Sequence, residues 1–441
     1  MMYFDAAVIG GGILGCFTAR NLRRWNISTV IIEQEADVAT GITRANSAII
    51  YPGYDNKPGS RKAEMTVRGN AAYEQLCREL DVPFSRCGSL LVTYDASAVP
   101  RLKRKLENGL ANGVPGIRLL SGEEAEDMEP MLQPGAAAAL YAPGTGTVNP
   151  WQLCIAACEN AVHNGAQLHR NTKVLGIKKT ETGYRIDTNR GQYHCAMVFN
   201  CAGLQADRVQ ELAFPPSVRL ELDSAEYLVF DQLAPKPGRI IFHQAEQCGK
   251  GITAIPCVEG NLLISGVRKP LDEPFATTPE GLEQLHEAVR ELLPQTDLSQ
   301  VIRSFGAVRP NPYTDQGDDL HDFCIETPAP GFCSLIGIKT PGLTCADELG
   351  QHLALQAARY LHAEKNPDFD PMRKAIRTRD SEIICQCQQI SRAEIIEAIR
   401  RGAATVDGVK RRVGTGMGRC QGSRCTYEIE KLLEEYGHGV L

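Results

Sequence analysis

The sequence has no long hydrophobic run. None of its apolar stretches approaches the roughly 20 residues that a membrane-spanning helix needs, so no insertion into a bilayer is expected. It has no excess of positive charge either. Against 47 Lys and Arg stand 53 Asp and Glu, a formal net charge of −6, whereas a nucleic-acid binder usually carries a basic surface. The first residues lack the basic n-region and small-residue cleavage site of a secretory signal and run straight into an apolar strand. The expected location is cytoplasmic, with no nucleic acid as partner, and a membrane-bound partner protein stays compatible with it. The remainder, 43% hydrophobic and 23% charged over 441 residues, is an ordinary globular composition at a length that suits two or three domains.

The strongest local pattern stands near the start. The run Ala-Ala-Val-Ile at 6–9 suits a buried parallel strand. It leads into Gly-Gly-Gly-Ile-Leu-Gly at 10–15, which fits G-x-G-x-x-G, and then into a helical pattern over 13–25. A second apolar strand at 29–32 ends in Glu33. Gly10 permits a tight turn, Gly12 lets backbone N–H groups approach a pyrophosphate, and Gly15 lets helix pack on strand. The helix start, with Ile13 and Leu14, favours phosphate charge. Glu33, 18 residues after Gly15, can accept hydrogen bonds from a ribose diol and would repel a 2′-phosphate. A dinucleotide is expected here. No second G-x-G-x-x-G lies between a strand and a helix, so NAD(H) is not expected.

Three later segments extend the pattern. The first is the loop 41–55, with Asn46, Ser47 and Tyr51. The second is 197–207, a strand ending in the small-residue turn Ala202-Gly203. The third is 335–344, with Gly337, Lys339, Pro341, Gly342, Leu343 and Thr344. With these motifs the first 365 or so residues resemble the FAD-dependent family of D-amino-acid oxidase and glycerol-3-phosphate dehydrogenase. The likeness is greatest to anaerobic glycerol-3-phosphate dehydrogenase large subunits and 2-hydroxyglutarate oxidases. The resemblance implies an α/β fold: a Rossmann-like FAD-binding domain (1–80, 145–215 and 330–365) interleaved with an antiparallel-sheet substrate domain (81–144 and 216–329). It implies that Asn46, Ser47, Ala202, Gly203, Gly337, Gly342, Leu343 and Thr344 join the glycine motif around FAD. Pro341 would open a helix whose N-terminus faces the flavin. Arg309, in Phe-Gly-Ala-Val-Arg-Pro at 305–310, would hold the anionic group of a small substrate with its guanidinium fork.

The sequence also departs from its relatives. Tyr51 stands where they often carry histidine. Pro256-Cys257 replaces Pro-Thr, and Ser-Gly-Val-Arg at 265–268 replaces Gly-Pro-Thr. Lys339 replaces a small or neutral residue, so Arg268 and Lys339 add positive charge near the expected pocket. Arg309, Lys339 and Tyr51 are the catalytic candidates.

Cysteine is abundant, with 16 residues, and in a reducing compartment no disulfides are expected. Twelve are scattered and read as small buried hydrophobes. Cys385, Cys387, Cys420 and Cys425 differ. They form close pairs, C-x-C and C-x-x-x-x-C, on loops at the ends of expected helices, with glycines at 414, 416 and 418. Four thiolates suit a 2Fe–2S cluster. Zinc is the rival, though its ribbons favour C-x-x-C knuckles. The segment resembles the bacterioferritin-associated-ferredoxin domain, which implies a small helical 2Fe–2S domain over 381–441, joined by an ordered linker over 366–380. Basic residues gather there (Arg400, Arg401, Lys410, Arg411, Arg412, Arg419, Arg424). They would stabilise a reduced cluster or steer an electron-accepting protein subunit. The expected activity is an FAD-dependent dehydrogenase acting on glycerol 3-phosphate or a 2-hydroxy acid. Amino-acid or secondary-amine oxidation and a non-catalytic electron-transfer subunit are the alternatives.

Overall fold

The computed structural model describes residues 2–232, 235–243, 251–270, 273–314, 316–317 and 320–437, with the side chains of 267–270 left out. The side chain of Arg268 and all of Cys248 therefore lie outside the described residues.

Apolar runs with no polar face must be covered on both sides, and the first strand shows it. Met2–Ile9 lies between Thr29–Ile32 and Gly191–Asn200, parallel to both. Gln167–His169 extends the sheet on one side and Phe332–Ile336 on the other, again in parallel. An antiparallel meander, Val174–Thr180 and Gly183–Thr188, completes one edge. The helix of the glycine motif runs from Ile13 to Leu22, three residues shorter than its sequence pattern, and is buried from Gly15 onward. It packs between Pro150–His163 and Ala346–Leu361, and these form the largest core with the sheet.

The second sheet has eight strands in the order Val301–Thr314, Val218–Phe230, Leu262–Pro270, Thr253–Pro256, Ile240–His243, Ser89–Thr93, Ala138–Ala142, Arg118–Ser121. It is antiparallel except where Ile240–His243 runs parallel to Ser89–Thr93, the junction between the two inserted segments. Cys324–Ala329 departs from expectation. It folds back on Phe332–Ile336 through a turn at Pro330-Gly331 and so belongs to the nucleotide sheet.

The linker is strapped down. The carbonyls of Asp370 and Met372 accept from Asn160, Arg373 pairs with Glu159 at 2.8 Å, and Ala375 N–H donates to Asp81. Beyond it, Arg392–Arg400, Val406–Val413 and Thr426–Tyr436 pack around their own core. The first of these opens on the capping box Ser391/Glu394 anticipated from its spacing. Among the described residues no helix is long and apolar enough to cross a membrane.

Candidate active site and iron–sulfur site

The three glycines of the motif do three different things. Gly10 has φ +106°, and a Cβ there would stand 2.5 Å from the carbonyl of Cys201. A Cβ on Gly15 would lie 1.9 Å from the carbonyl of Gly10, so the helix reaches its strand only through glycine. Gly12 is different: the nearest atom to its Cβ would be Thr43 Oγ1 at 3.6 Å, and the space before it is open cavity. The helix that starts there has no side-chain cap and no acid in its first turn; Ile13 N–H donates to Thr43 Oγ1 at 3.1 Å. An uncapped helix N-terminus facing a cradle that a side chain would fill fits a phosphate group.

Glu33 lies at the end of the second strand with both carboxylate oxygens engaged: Oε2 accepts from Gly11 N–H at 2.5 Å and Oε1 from Glu35 N–H at 2.8 Å. Burial raises its carboxyl above the usual range, against those backbone donors.

Between the two sheets runs a cavity of about 1310 Å3, larger than the ~300–1,000 Å3 of an ordinary ligand pocket. It has room for a dinucleotide and a substrate together. Gly10, Gly12, Ile13, Leu14 and Glu33 line one end. Asn46, Ser47, Tyr51, Ala202, Gly203, Arg309, Lys339, Gly342 and Leu343 line the cavity as well. Gly15, Gly337 and Thr344 lie off the wall. Gly337, at φ +62°, packs against Pro312, and Thr344 Oγ1 accepts from Tyr51 N–H at 2.9 Å. The Asn46 side chain is tied to its own loop, donating to the carbonyls of Ile42 and Thr43 and accepting from Ala48 N–H. It shapes the loop.

Pro341 does not open a helix. Gly342 N–H donates to Lys339 O and Cys345 N–H to Pro341 O, so residues 339–345 turn twice before the helix begins at Ala346. The turn puts Lys339 on the cavity wall, where its Nζ donates to Asn311 Oδ1 at 3.3 Å. Arg309 sits mid-strand, and its Nε is buried with no hydrogen-bond partner among the described residues. A buried guanidinium N–H without an acceptor asks for one. Lys62, His243 and His321 also line the cavity. Lys62 is buried within a long helix, its ammonium 5.4 Å from the ring centroid of Phe323.

The four C-terminal cysteines stand as two pairs. Cys387 and Cys420 are 3.3 Å apart at sulfur, and Cys425 interacts with Cys385. Four cysteines suit a two-iron cluster, which takes four thiolate ligands. The loop fits a cluster further. Cys387, then the N–H groups of Gly422 and Arg424 and the Ser423 hydroxyl, hold the Cys420 thiol below its ordinary value. Burial pushes the Cys425 thiol up to about 11 and those of the core cysteines Cys201 and Cys345 up to about 12.

Residues 5–356 match the DAO family of FAD-dependent oxidoreductases. The chain belongs to that family. Residues 383–435 match the BFD-like 2Fe–2S binding domain, and the cofactors of this oxidoreductase are FAD and a 2Fe–2S cluster. The enzyme is 37% identical to a glycerol 3-phosphate dehydrogenase of Caloramator mitchellensis, over 98% of its own length and 94% of the relative's. It is 28% identical to an L-2-hydroxyglutarate dehydrogenase of Indibacter alkaliphilus over 74% of its length and 91% of the relative's. Its fold matches that of FAD-bound, dithionite-reduced L-alpha-glycerophosphate oxidase from Mycoplasma pneumoniae with a TM-score of 0.77 at 24% identity. That match covers 85% of this chain and 99% of the oxidase.

Some basic residues of the module form ion pairs within the enzyme, while Arg400, Arg419 and Arg424 are exposed. Arg412 donates to both carboxylate oxygens of Asp37, at 2.6 and 3.0 Å, and Arg411 joins at 3.3 Å. Arg401 pairs with Glu397 and Glu159, and Arg419 with Asp231. These four brace the module against its neighbours or itself. Burial opposes ionisation of Asp37, but Arg412 and then Arg411 outweigh it and hold the carboxyl below the usual range. A carboxyl lowered on folding adds stability that is full above its unfolded value, about pH 4, and is lost as pH falls through the lower native one. The thermal midpoint should therefore fall more steeply on acidification in wild type than in Asp37→Asn. Parallel curves in a pH series of melts would remove Asp37 from the account.

Proposed function

We propose that the enzyme oxidises a small anionic alcohol, glycerol 3-phosphate first and a 2-hydroxy acid second, and delivers the electrons to a partner protein. FAD supplies hydride acceptance and the 2Fe–2S cluster supplies one-electron transfer. In this reading backbone N–H groups at Gly12 and Leu14 hold the pyrophosphate, Ile13 N–H being tied to Thr43 Oγ1, while Glu33 accepts from the ribose. Asn46, Ser47, Ala202, Gly203, Gly342 and Leu343 enclose the ring, and Gly10, Gly15, Gly337 and Thr344 keep the walls in shape. Cys385, Cys387, Cys420 and Cys425 are the cluster ligands. The carrying observation is the pair of cations lining the cavity, Arg309, whose buried Nε has no partner among the described residues, and buried Lys339, which bonds to Asn311 on the same strand as Arg309. Arg309 would anchor the anionic group, with Lys339 adding charge. Tyr51, packed near Phe242 at 6.2 Å between ring centroids, would close the apolar side and help exclude water. The likeness to a glycerol 3-phosphate dehydrogenase along nearly the whole chain supports this ranking of substrates.

Anaerobic mixing with a panel of glycerol 3-phosphate, L-2-hydroxyglutarate, glycine and proline tests the reading. Glycerol 3-phosphate should bleach the flavin absorbance. Bleaching by the amines alone would replace the reading with amine oxidation, and bleaching by none would contradict it.

Arg309→Lys keeps the charge and loses the fork. Loss of one charge-assisted hydrogen bond, about 1.5–3 kcal/mol, corresponds to roughly a 10- to 150-fold rise in KM, with FAD content unchanged. An unaltered KM in steady-state assays would show that Arg309 is not the anchor.

A further inference from the structure

The iron–sulfur module reaches the large cavity. Its helix Val406–Val413, opened by Thr405 as N-cap, stands at the end marked by Glu33. Thr405, Asp407 and Arg411 line the cavity there beside Glu33 and Asp37. The interface is tight: a Cβ on Gly408 would lie 3.0 Å from Asp37 Oδ2, and Arg170 donates both to Ala36 O and to Gly402 O.

Within this interface the two adjacent arginines are used differently. Arg412, with its side chain 3% exposed, makes the two shorter bonds to Asp37 and holds the module down. Arg411 makes only the 3.3 Å bond, yet its side chain is only 10% exposed. Its Nε, like that of Arg412, is buried with no hydrogen-bond partner among the described residues, but of the two only Arg411 lines the cavity. A buried guanidinium N–H in a cavity wall is satisfied when a ligand brings an acceptor to it.

We infer that Arg411 is an FAD-binding residue contributed by the iron–sulfur module, which closes the adenosine end of the flavin site. The inference rests on the reading of Glu33 as the ribose acceptor. The ring nitrogens and hydroxyls of an adenosine diphosphate group beside Glu33 offer the acceptor that Arg411 Nε lacks. The guanidinium plane also suits stacking on a base. Because Thr405, Asp407 and Arg411 reach the cavity only when the module is docked, nucleotide binding and docking are linked. Each strengthens the other by the same factor. The redox centre would then help to retain the cofactor that supplies it with electrons.

The test uses the full chain with flavin stripped and cluster retained, titrated calorimetrically with ADP, which carries only the half that Arg411 would touch. Arg411→Gln should weaken ADP about tenfold, the loss of one charge-assisted hydrogen bond, with iron content unchanged. In wild type, ADP should slow amide hydrogen exchange over 405–413. Equal ADP affinity in wild type and variant would overturn the inference while leaving the Glu33 reading intact. If wild type binds FAD but not ADP, the Glu33 reading falls, and this inference with it. Should Arg411→Gln lose iron, Arg411→Lys, which keeps a cation beside Asp37 but no Nε–H, is judged by the same two ADP outcomes.

Discussion

Gly15→Ala should cost the enzyme both its flavin and part of its stability. The added methyl would stand 1.9 Å from the carbonyl of Gly10, a backbone atom that cannot rotate away. The helix must move off its strand, at ~1–3 kcal/mol or more. Displacement of the Gly10–Gly12 turn by that amount corresponds to about 5- to 150-fold in FAD affinity. Gly12→Ala is the informative companion. Its methyl meets nothing closer than 3.6 Å in the fold, and Gly12 has φ −76°, an ordinary value for alanine. The methyl would occupy the cradle where a pyrophosphate needs close backbone approach. Gly12→Ala should melt like wild-type apoprotein yet bind FAD weakly, whereas Gly15→Ala should fail in both respects. Equal FAD affinity in Gly12→Ala and wild type, measured by flavin fluorescence, would move the pyrophosphate away from this turn.

The second large effect concerns the cluster. Cys420→Ser removes one of four thiolates, the one whose loop supplies N–H groups from Gly422 and Arg424. The dithionite-reduced protein should lose its low-temperature paramagnetic signal and much of its iron. Flavin should remain, because the contacts of Arg411 and Arg412 lie on a separate helix from the Cys420 loop. Substrate should still bleach the flavin in a single turnover, and steady turnover with the native acceptor should collapse. Full turnover with that acceptor in a cluster-free variant would make the module structural.

What the sequence made legible follows the range of the interactions. Gly10, Gly12, Gly15 and Glu33 lie within one strand–helix–strand unit, so local spacing was enough to mark them as candidates. The four cysteines and the Ser391 capping box were equally local. Arg309 was marked as a candidate by family resemblance alone, since nothing near it in sequence marks a strand that lines a cavity. Asp37 and Arg412 are 375 residues apart. Each alone reads as a surface charge, so the pairing of Arg412 with Asp37 was not legible in the basic run. Lys62 and His321 were hidden for the same reason: a cation in a polar helix face and a histidine in a loop gain meaning only when two sheets enclose them. Two errors were matters of turns. Pro330-Gly331 returns Cys324–Ala329 to the nucleotide sheet, and the double turn after Lys339 delays the helix to Ala346.

The most direct test of the central claim is one anaerobic experiment. The enzyme is mixed with excess glycerol 3-phosphate and frozen at increasing times, and flavin absorbance and the cluster's paramagnetic signal are read on the same samples. Flavin bleaching followed by the appearance of the reduced-cluster signal is the predicted result. A flavin that bleaches fully while the cluster stays oxidised would contradict electron transfer from flavin to cluster.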